Sequence, residues 1–171
     1  MIIVREASSA DAEAVIEVVR ESITQSCTMD HRNDPYTLAK WLENKTPQQF
    51  VSWISNTNNF CVVAGLNENL SGVGLLHRGG EVRLFFVAPG AQRQGVGKAI
   101  HASLEEKAAL WGLRVVHLQS TALARQFYEA LGYQSSGAAT LRAGLLQCYP
   151  YEKILLQPNH SLRRTVADGL H

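Results

Sequence analysis

The stretch from Val82 to Ile100 constrains this chain most. It reads as a strand from about Glu81 to Ala88, a turn at Pro89-Gly90, then a loop carrying Gly95 and Gly97 that runs directly into a long helix. A helix N-terminus has unpaired N–H groups and the positive end of the helix dipole, so it suits an anion. Glycine removes the side chains that would keep a phosphate away from that backbone. A pyrophosphate cradle is therefore the first expectation, and the rest of the fold must present a strand that feeds this helix.

Composition limits what lies around the cradle. At 171 residues, with 46% apolar and 18% charged residues, the chain is expected to form one globular domain with a real core. A formal net charge of +1 gives no general attraction to nucleic acid or to an anionic membrane, so anion binding must be local. Cys27, Cys61 and Cys148 are odd in number and lack framework spacing, which favours a reducing compartment. The longest apolar runs are strand-sized, and Met1-Ile2-Ile3-Val4 lacks the charged start and long apolar core of a signal peptide. A cytoplasmic protein is the expectation.

Read in order, Ile2 to Glu6 is a strand, and Ser8 to Asp11 opens a helix with Val15, Val18, Val19 and Ile23 on one side. Thr24 to Asn33 is polar and predicted irregular. Asp34-Pro35 and Thr46-Pro47 each supply a cap and a first-turn proline, predicting helices to about Glu43 and Ile54. Phe60 to Leu66 and Leu70 to His77 read as a hairpin, and Glu81 to Ala88 as a third meander strand. The helix after Gly95 places Val96, Ile100, Leu104, Ala108 and Trp111 on one face, with Gly112 as its C-terminal cap. A strand from Leu113 to Gln119 and a helix from about Ala122 to Leu131 follow. Tyr133 to Thr140 and Leu145 to Leu155 are predicted to close the fold as an antiparallel pair around a turn at 141–144. Residues 157–171 read as a polar tail. The order predicts an α+β fold: a single mixed, mostly antiparallel central sheet with helices on both faces, not a doubly wound parallel sheet.

Three glycine-loop readings compete. A P-loop needs glycine where Gln92 stands and Ser or Thr where Ala99 stands. A dinucleotide fingerprint needs a third glycine where Ile100 stands, after a first βαβ unit that this chain lacks. What remains is Gln92-Arg93-Gln94-Gly95-Val96-Gly97, a Q/R-x-x-G-x-G/A pattern between strand and helix. With it goes Thr121-Ala122-Leu123-Ala124-Arg125-Gln126-Phe127-Tyr128-Glu129-Ala130-Leu131-Gly132-Tyr133 downstream. In these two segments the chain resembles the Gcn5-related N-acetyltransferase family, whose members move the acetyl group of acetyl-CoA to an amine. The second segment looks like the family's N-x-x-A-x-x-F/L-Y-x-x-x-G-F/Y motif, with Thr121 where Asn is common. The resemblance covers 1–156 as one domain.

The resemblance implies acetyl-CoA as co-substrate and no metal. It implies a pyrophosphate held by backbone N–H groups of Arg93, Gln94, Gly95, Val96, Gly97 and Lys98, with Gln92, Thr121, Ala124 and Tyr128 also at the cofactor. It implies that the meander's last strand diverges from its neighbour at a bulge, the Phe85 N–H polarising the thioester carbonyl and Val87 bonding the pantetheine arm. Tyr128 would be the general acid and Glu81 a base acting directly or through water. Each has a plain structural alternative: Phe85, Val87 and Tyr128 as core residues, Glu81 as an exposed strand-end carboxylate. In a regular strand residues 81, 83, 85 and 87 would share one face. Tyr149, Tyr151 and His77 are weaker base candidates. Asp30 and His31 could draw in a cationic amine, or serve only as loop residues, while Asp34 reads as a helix cap. Trp41 and Trp53 could line the acceptor cleft or belong to the core.

No cysteine has the surroundings of a covalent acetyl carrier, so direct ternary-complex transfer to a primary amine is expected. A catalytically inactive acyl-CoA sensor or assembly module is the alternative. Small-molecule and protein amines both stay open as acceptors. Neither nucleic acid nor membrane is expected as a partner, and the sequence is compatible with a homodimer.

Overall fold

A computed structural model describes residues 1–143 and 145–156. Strand β1 (Ile2–Glu6) is followed, after a short 3₁₀ turn at Ser9–Asp11, by α1 (Ala12–Glu21). Next come α2 (Thr28–His31), α3 (Pro35–Leu42), α4 (Pro47–Ser55), β2 (Asn59–Leu66), β3 (Asn69–His77) and β4 (Val82–Val87). The second half contains α5 (Val96–Leu110), β5 (Val115–Ser120), α6 (Arg125–Ala130), β6 (Gln134–Ser135), β7 (Thr140–Arg142) and β8 (Leu146–Ile154).

The capping residues act as the sequence indicates. Asp34 accepts from the Thr37 N–H at 2.8 Å, and Thr46 from the Gln49 N–H at 3.2 Å, each with proline in the first turn. Asn67 and Glu68 both have positive φ, 50° and 71°, which is what a tight two-residue hairpin between right-twisted strands requires.

The first four strands form one antiparallel meander, β1-β2-β3-β4, and the second sheet runs β5-β8-β6 with β7 on the end of β8. The two meet in the parallel sense at one bridge, Glu81 opposite His117, where the His117 N–H donates to the Gly80 carbonyl at 2.9 Å. Beyond that point β4 and β5 diverge. Helices cover both faces. Helix α5 lays Val96, Ile100, Leu104 and Ala108 on one face, while α1, α3 and α4 cover the other with Val15, Val19 and Phe50. Gly72 and Gly74 let α5 approach β3 closely: a Cβ at Gly74 would lie 2.5 Å from Ile100 Cγ2.

Four expectations need correction. Thr24 to Asn33 is largely helical, with a π-helical turn at Ser22–Ser26 and then α2. Ile23 continues the apolar stripe of α1 and is fully buried, so packing overrides the polar sequence. Helix α6 begins at Arg125 rather than Ala122, because the Ala122 N–H is taken by the Asp30 carboxylate at 2.7 Å. The strand expected over Tyr133 to Thr140 survives only as β6 and β7. Opposite it stands Pro150, which has no N–H to donate to the ladder. Leu141 and Arg142, expected in the turn, pair with β8 and so lie in the ladder. Residues 157–171 lie outside the described residues.

Candidate active site

Strand β4 carries the decisive irregularity. Leu75 pairs with Leu84 but Leu76 with Val82, so Arg83 is an extra residue, a β-bulge. As a result Val82 packs into the core under α5 while Leu84 and Phe86 pack into the opposite one. The shared face expected for 81, 83, 85 and 87 is therefore interrupted at Arg83. The Ala88 N–H donates to the Ser71 carbonyl at 2.8 Å, which fixes the alternation. Phe86 and Leu84 bond β3, and the N–H groups of Phe85 and Val87 point away from it, into the gap beside β5.

The loop after β4 supplies a second set of free donors. Arg93 and Gly95 have positive φ, 60° and 88°. Gly95 caps α5, whose first bond of the next turn runs from the Ala99 N–H to the Gly95 carbonyl. The backbone N–H groups from Arg93 to Lys98 find no hydrogen-bond acceptor among the described residues. Gln92 and Gln94 hold the loop by their side chains, Gln92 to Ser26 Oγ and Gln94 to the Gly90 carbonyl, each at 2.9 Å. Gly97 proves to be small for a different reason from the one expected. A Cβ there would lie 3.1 Å from Phe127 Cζ, so it makes room for an aromatic ring of α6.

Members of both sets line one cavity of about 740 Å³. Phe85 and Val87 line it from β4, and Gln92, Arg93 and Gly97 from the loop. Thr121, Ala124 and Tyr128 line it from the α6 side. Thr121 Oγ1 accepts from the Ala124 N–H at 3.2 Å, the local capping role that Asn or Thr can share. Gln94, Gly95, Val96 and Lys98 do not line the cavity, and Val96 belongs to the core.

Tyr128 is 5% exposed, wedged among Phe85, Phe127 and Tyr133 with ring centroids 5.3 to 5.8 Å away. No described residue hydrogen-bonds its hydroxyl, and burial raises its pKa above the ordinary tyrosine value. Tyr133 behind it donates to or accepts from His101 Nε2 at 2.8 Å; His101 in turn faces Glu105, which pairs with Lys153 at 3.0 Å. Burial pushes the His101 pKa down to about 4, so the ring is neutral near pH 7, its Nδ1–H toward Glu105 and its Nε2 accepting from Tyr133.

Glu81 stands outside the cavity lining, its carboxylate 3.3 Å from Arg83 Nε. His31 is fully buried and also outside the lining. Its Nδ1 accepts from the Asn33 N–H at 3.0 Å and its Nε2 donates to the Ile23 carbonyl at 2.9 Å, so the acceptor role foreseen for it has no free nitrogen. Asp30 does line the cavity, but its Oδ1 ties α2 to the Ala122 N–H, and burial raises its pKa. Of the tryptophans, Trp41 reaches the cavity and Trp53 packs in the core. Tyr149 and His77 are engaged locally with Gln147 and the Gly79 N–H, and Tyr151 is buried against Glu129.

Sequence reasoning missed several lining residues. Cys27 and Cys148 face the cavity, Cys27 with a thiol pushed up to about 12 by burial and the nearby Asp30. Arg83, Lys45 and Arg142 also line it. No motif marks them, since only the bulge and the pairing of distant turns bring them there.

A strand with a bulge, a glycine-bearing loop at a helix start and a buried tyrosine thus border one cavity. The chain belongs to the acetyltransferase (GNAT) family, whose domain model matches residues 14–155. It is thus an acetyl-CoA-dependent N-acetyltransferase by class. Solved structures agree on the fold. A GCN5-related N-acetyltransferase from Rhodopseudomonas palustris superposes with TM-score 0.80 at 18% identity, over 90% of this chain and 95% of that one. The PaiA N-acetyltransferase from Thermoplasma acidophilum, in complex with coenzyme A, gives 0.77 at 19% identity, over 91% and 99%. A ribosomal-protein-alanine N-acetyltransferase from Brucella melitensis gives 0.69 at 21% identity, over 90% and 99%. No curated protein sequence matches the chain. Among the described residues no helix is long and apolar enough to cross a membrane.

Proposed function

We propose that the chain transfers an acetyl group directly from acetyl-CoA to a primary amine held in the same cavity. One observation carries this reading: Phe85 and Val87, whose N–H groups point away from β3, line one space together with Arg93 and Gly97 of the loop whose N–H groups have no acceptor among the described residues. Acetyl-CoA supplies the activated acyl group. Arg93 to Lys98 hold its pyrophosphate, with the positive end of α5 behind them. Val87 bonds the pantetheine arm as a neighbouring strand would. The Phe85 N–H donates to the thioester carbonyl, where such a donor lowers a barrier by about 3 kcal/mol.

Tyr128 gives a proton to the departing sulfur. Burial keeps the phenol protonated, and no described residue competes for its hydroxyl. Cys27 and Cys148 support direct transfer, since burial keeps both thiols protonated and so poorly nucleophilic. Glu81, outside the lining and paired with Arg83, takes the amine proton through water.

Replacing Tyr128 by Phe keeps the ring packing and removes the proton. Turnover at saturation is expected to fall about a hundredfold or more with acetyl-CoA affinity unchanged. Unchanged turnover removes Tyr128 from the acid role. Binding of acetyl-CoA without thiol release across a broad amine panel would instead favour the inactive-sensor reading.

A further inference from the structure

Away from the glycine loop, the cavity is walled by the turn after α3 and by the hairpin turn between β7 and β8. The first turn is built firmly. Arg20 Nη1 donates to the carbonyls of Leu42 and Lys45 at 3.0 and 3.1 Å, and the Lys45 N–H closes back on Leu42 at 3.0 Å. This sets Lys45 in the lining, its ammonium 6.0 Å from the Trp53 ring centre and donating only to the neutral Asn44 Oδ1. Arg142 lines the cavity from the end of β7, where it enters the second turn.

Of the other charges here, Lys40 pairs with Glu43 at 3.6 Å and Arg83 with Glu81 at 3.3 Å. Arg93 lines the glycine-loop end of the cavity. Asp30 Oδ1 accepts from the Ala122 N–H, while its buried Oδ2 has no partner among the described residues. Among the described residues neither Lys45 nor Arg142 has a carboxylate partner. Burial, and after it the charge of Arg142, push the Lys45 pKa down to about 8, so the two cations feel each other across the space. Two like charges held in a partly dry pocket repel, and an anion between them relieves the repulsion.

We propose that the acceptor is a small primary amine carrying an anionic group, a carboxylate or a phosphate, and that Lys45 and Arg142 seat that group. The proposal rests on the acetyl-transfer reading of the cavity and narrows it. An arginine fork and a lysine together bind carboxylate and phosphate oxygens well, while a polyamine would bring further positive charge against two unmatched cations.

The test measures thiol release from acetyl-CoA with matched probes: glutamate against glutamine, β-alanine against propylamine, O-phosphoethanolamine against ethanolamine, and spermidine. Calorimetry alongside it measures binding of acetyl-CoA to the free protein, and of the anionic probes to the CoA-loaded protein. Anionic members are expected to exceed their neutral partners at least tenfold in kcat/KM. The carboxylate and phosphate arms identify which anion is preferred. Arg142→Gln and Lys45→Gln should each raise KM for the anionic amine at least tenfold, leaving acetyl-CoA affinity and KM for the neutral amine unchanged. If acetyl-CoA binds but neutral or cationic amines are preferred, if no anionic probe binds, or if the variants move no KM, the anion seat is overturned while the cofactor site stands. If acetyl-CoA itself does not bind, both readings fall.

Discussion

Gly97 and Gly95 share a motif but do different work. Gly95 has a φ of 88°, a backbone conformation that side chains disfavour, and a Cβ there would meet nothing closer than Ile2 Cδ1 at 3.5 Å. Gly97 is instead limited by Phe127, so the two sequence motifs touch through it. His101 shows the same dependence on surroundings. Unfolded, a histidine titrates near pH 6.5, whereas folded His101 titrates at about 4. Between those values the unfolded chain binds the extra proton. Its contribution is therefore whole above about pH 6.5 and is lost as pH falls toward 4, by at most about 3 kcal/mol. Denaturant melts from pH 4 to 7 should show this slope, and His101→Gln should flatten it. Asp11, held down to about 2 mainly by Arg5, loses its contribution only below this window.

Helix α5 and strand β3 form the most tightly fitted pair of elements. A side chain at Gly74 would strike Ile100 Cγ2 at 2.5 Å and Leu104 Cδ1 at 3.0 Å, and both side chains are buried in the core, with little room to swing aside. Gly74→Val should therefore destabilise the fold by about 1–3 kcal/mol, read as a lower urea midpoint at constant m. An unchanged midpoint would mean that α5 shifts freely. This element was legible because its stripe Val96, Ile100, Leu104 and Ala108 is periodic and its cap is a glycine. The loop and Tyr128 were legible for a related reason, as their chemistry needs fixed residues at fixed spacing. Lys45 and Arg142 were not, since their sharing one cavity depends on how the turn after α3 and the distant end of β7 are placed. A bulge in β4 was implied by the family resemblance, but its place at Arg83 was hidden, because the strand sequence is apolar on both sides of it. His31 misled the reading: a polar, loop-like context concealed a buried ring with both nitrogens bonded.

At the scale of the molecule, the chain consists of two antiparallel sheets that share one parallel bridge. They are joined by the Glu81–His117 bridge, by the Asp30 bond to Ala122, and by the core under α5, to which Val62, Val82, Val116, Leu118 and Tyr151 of the two sheets all belong. The N–H groups of Phe85 and Val87 face the opening, while those of Leu84 and Phe86 are held by β3. Hydrogen exchange should follow this alternation, Phe85 and Val87 exchanging faster than Leu84 and Phe86 until acetyl-CoA slows them. Equal protection of all four without ligand would show that the gap closes on itself. A row of unpaired backbone groups is ordinarily a hazard, since it invites a strand from another molecule and starts aggregation. Here the exposed row faces inward, across from β5 and under the rings of Phe127 and Tyr128. A slim chain can thread into that slot, but the bulk of a second protein cannot follow it. The most adhesive edge of the chain is thus turned toward its own second half rather than toward a neighbour.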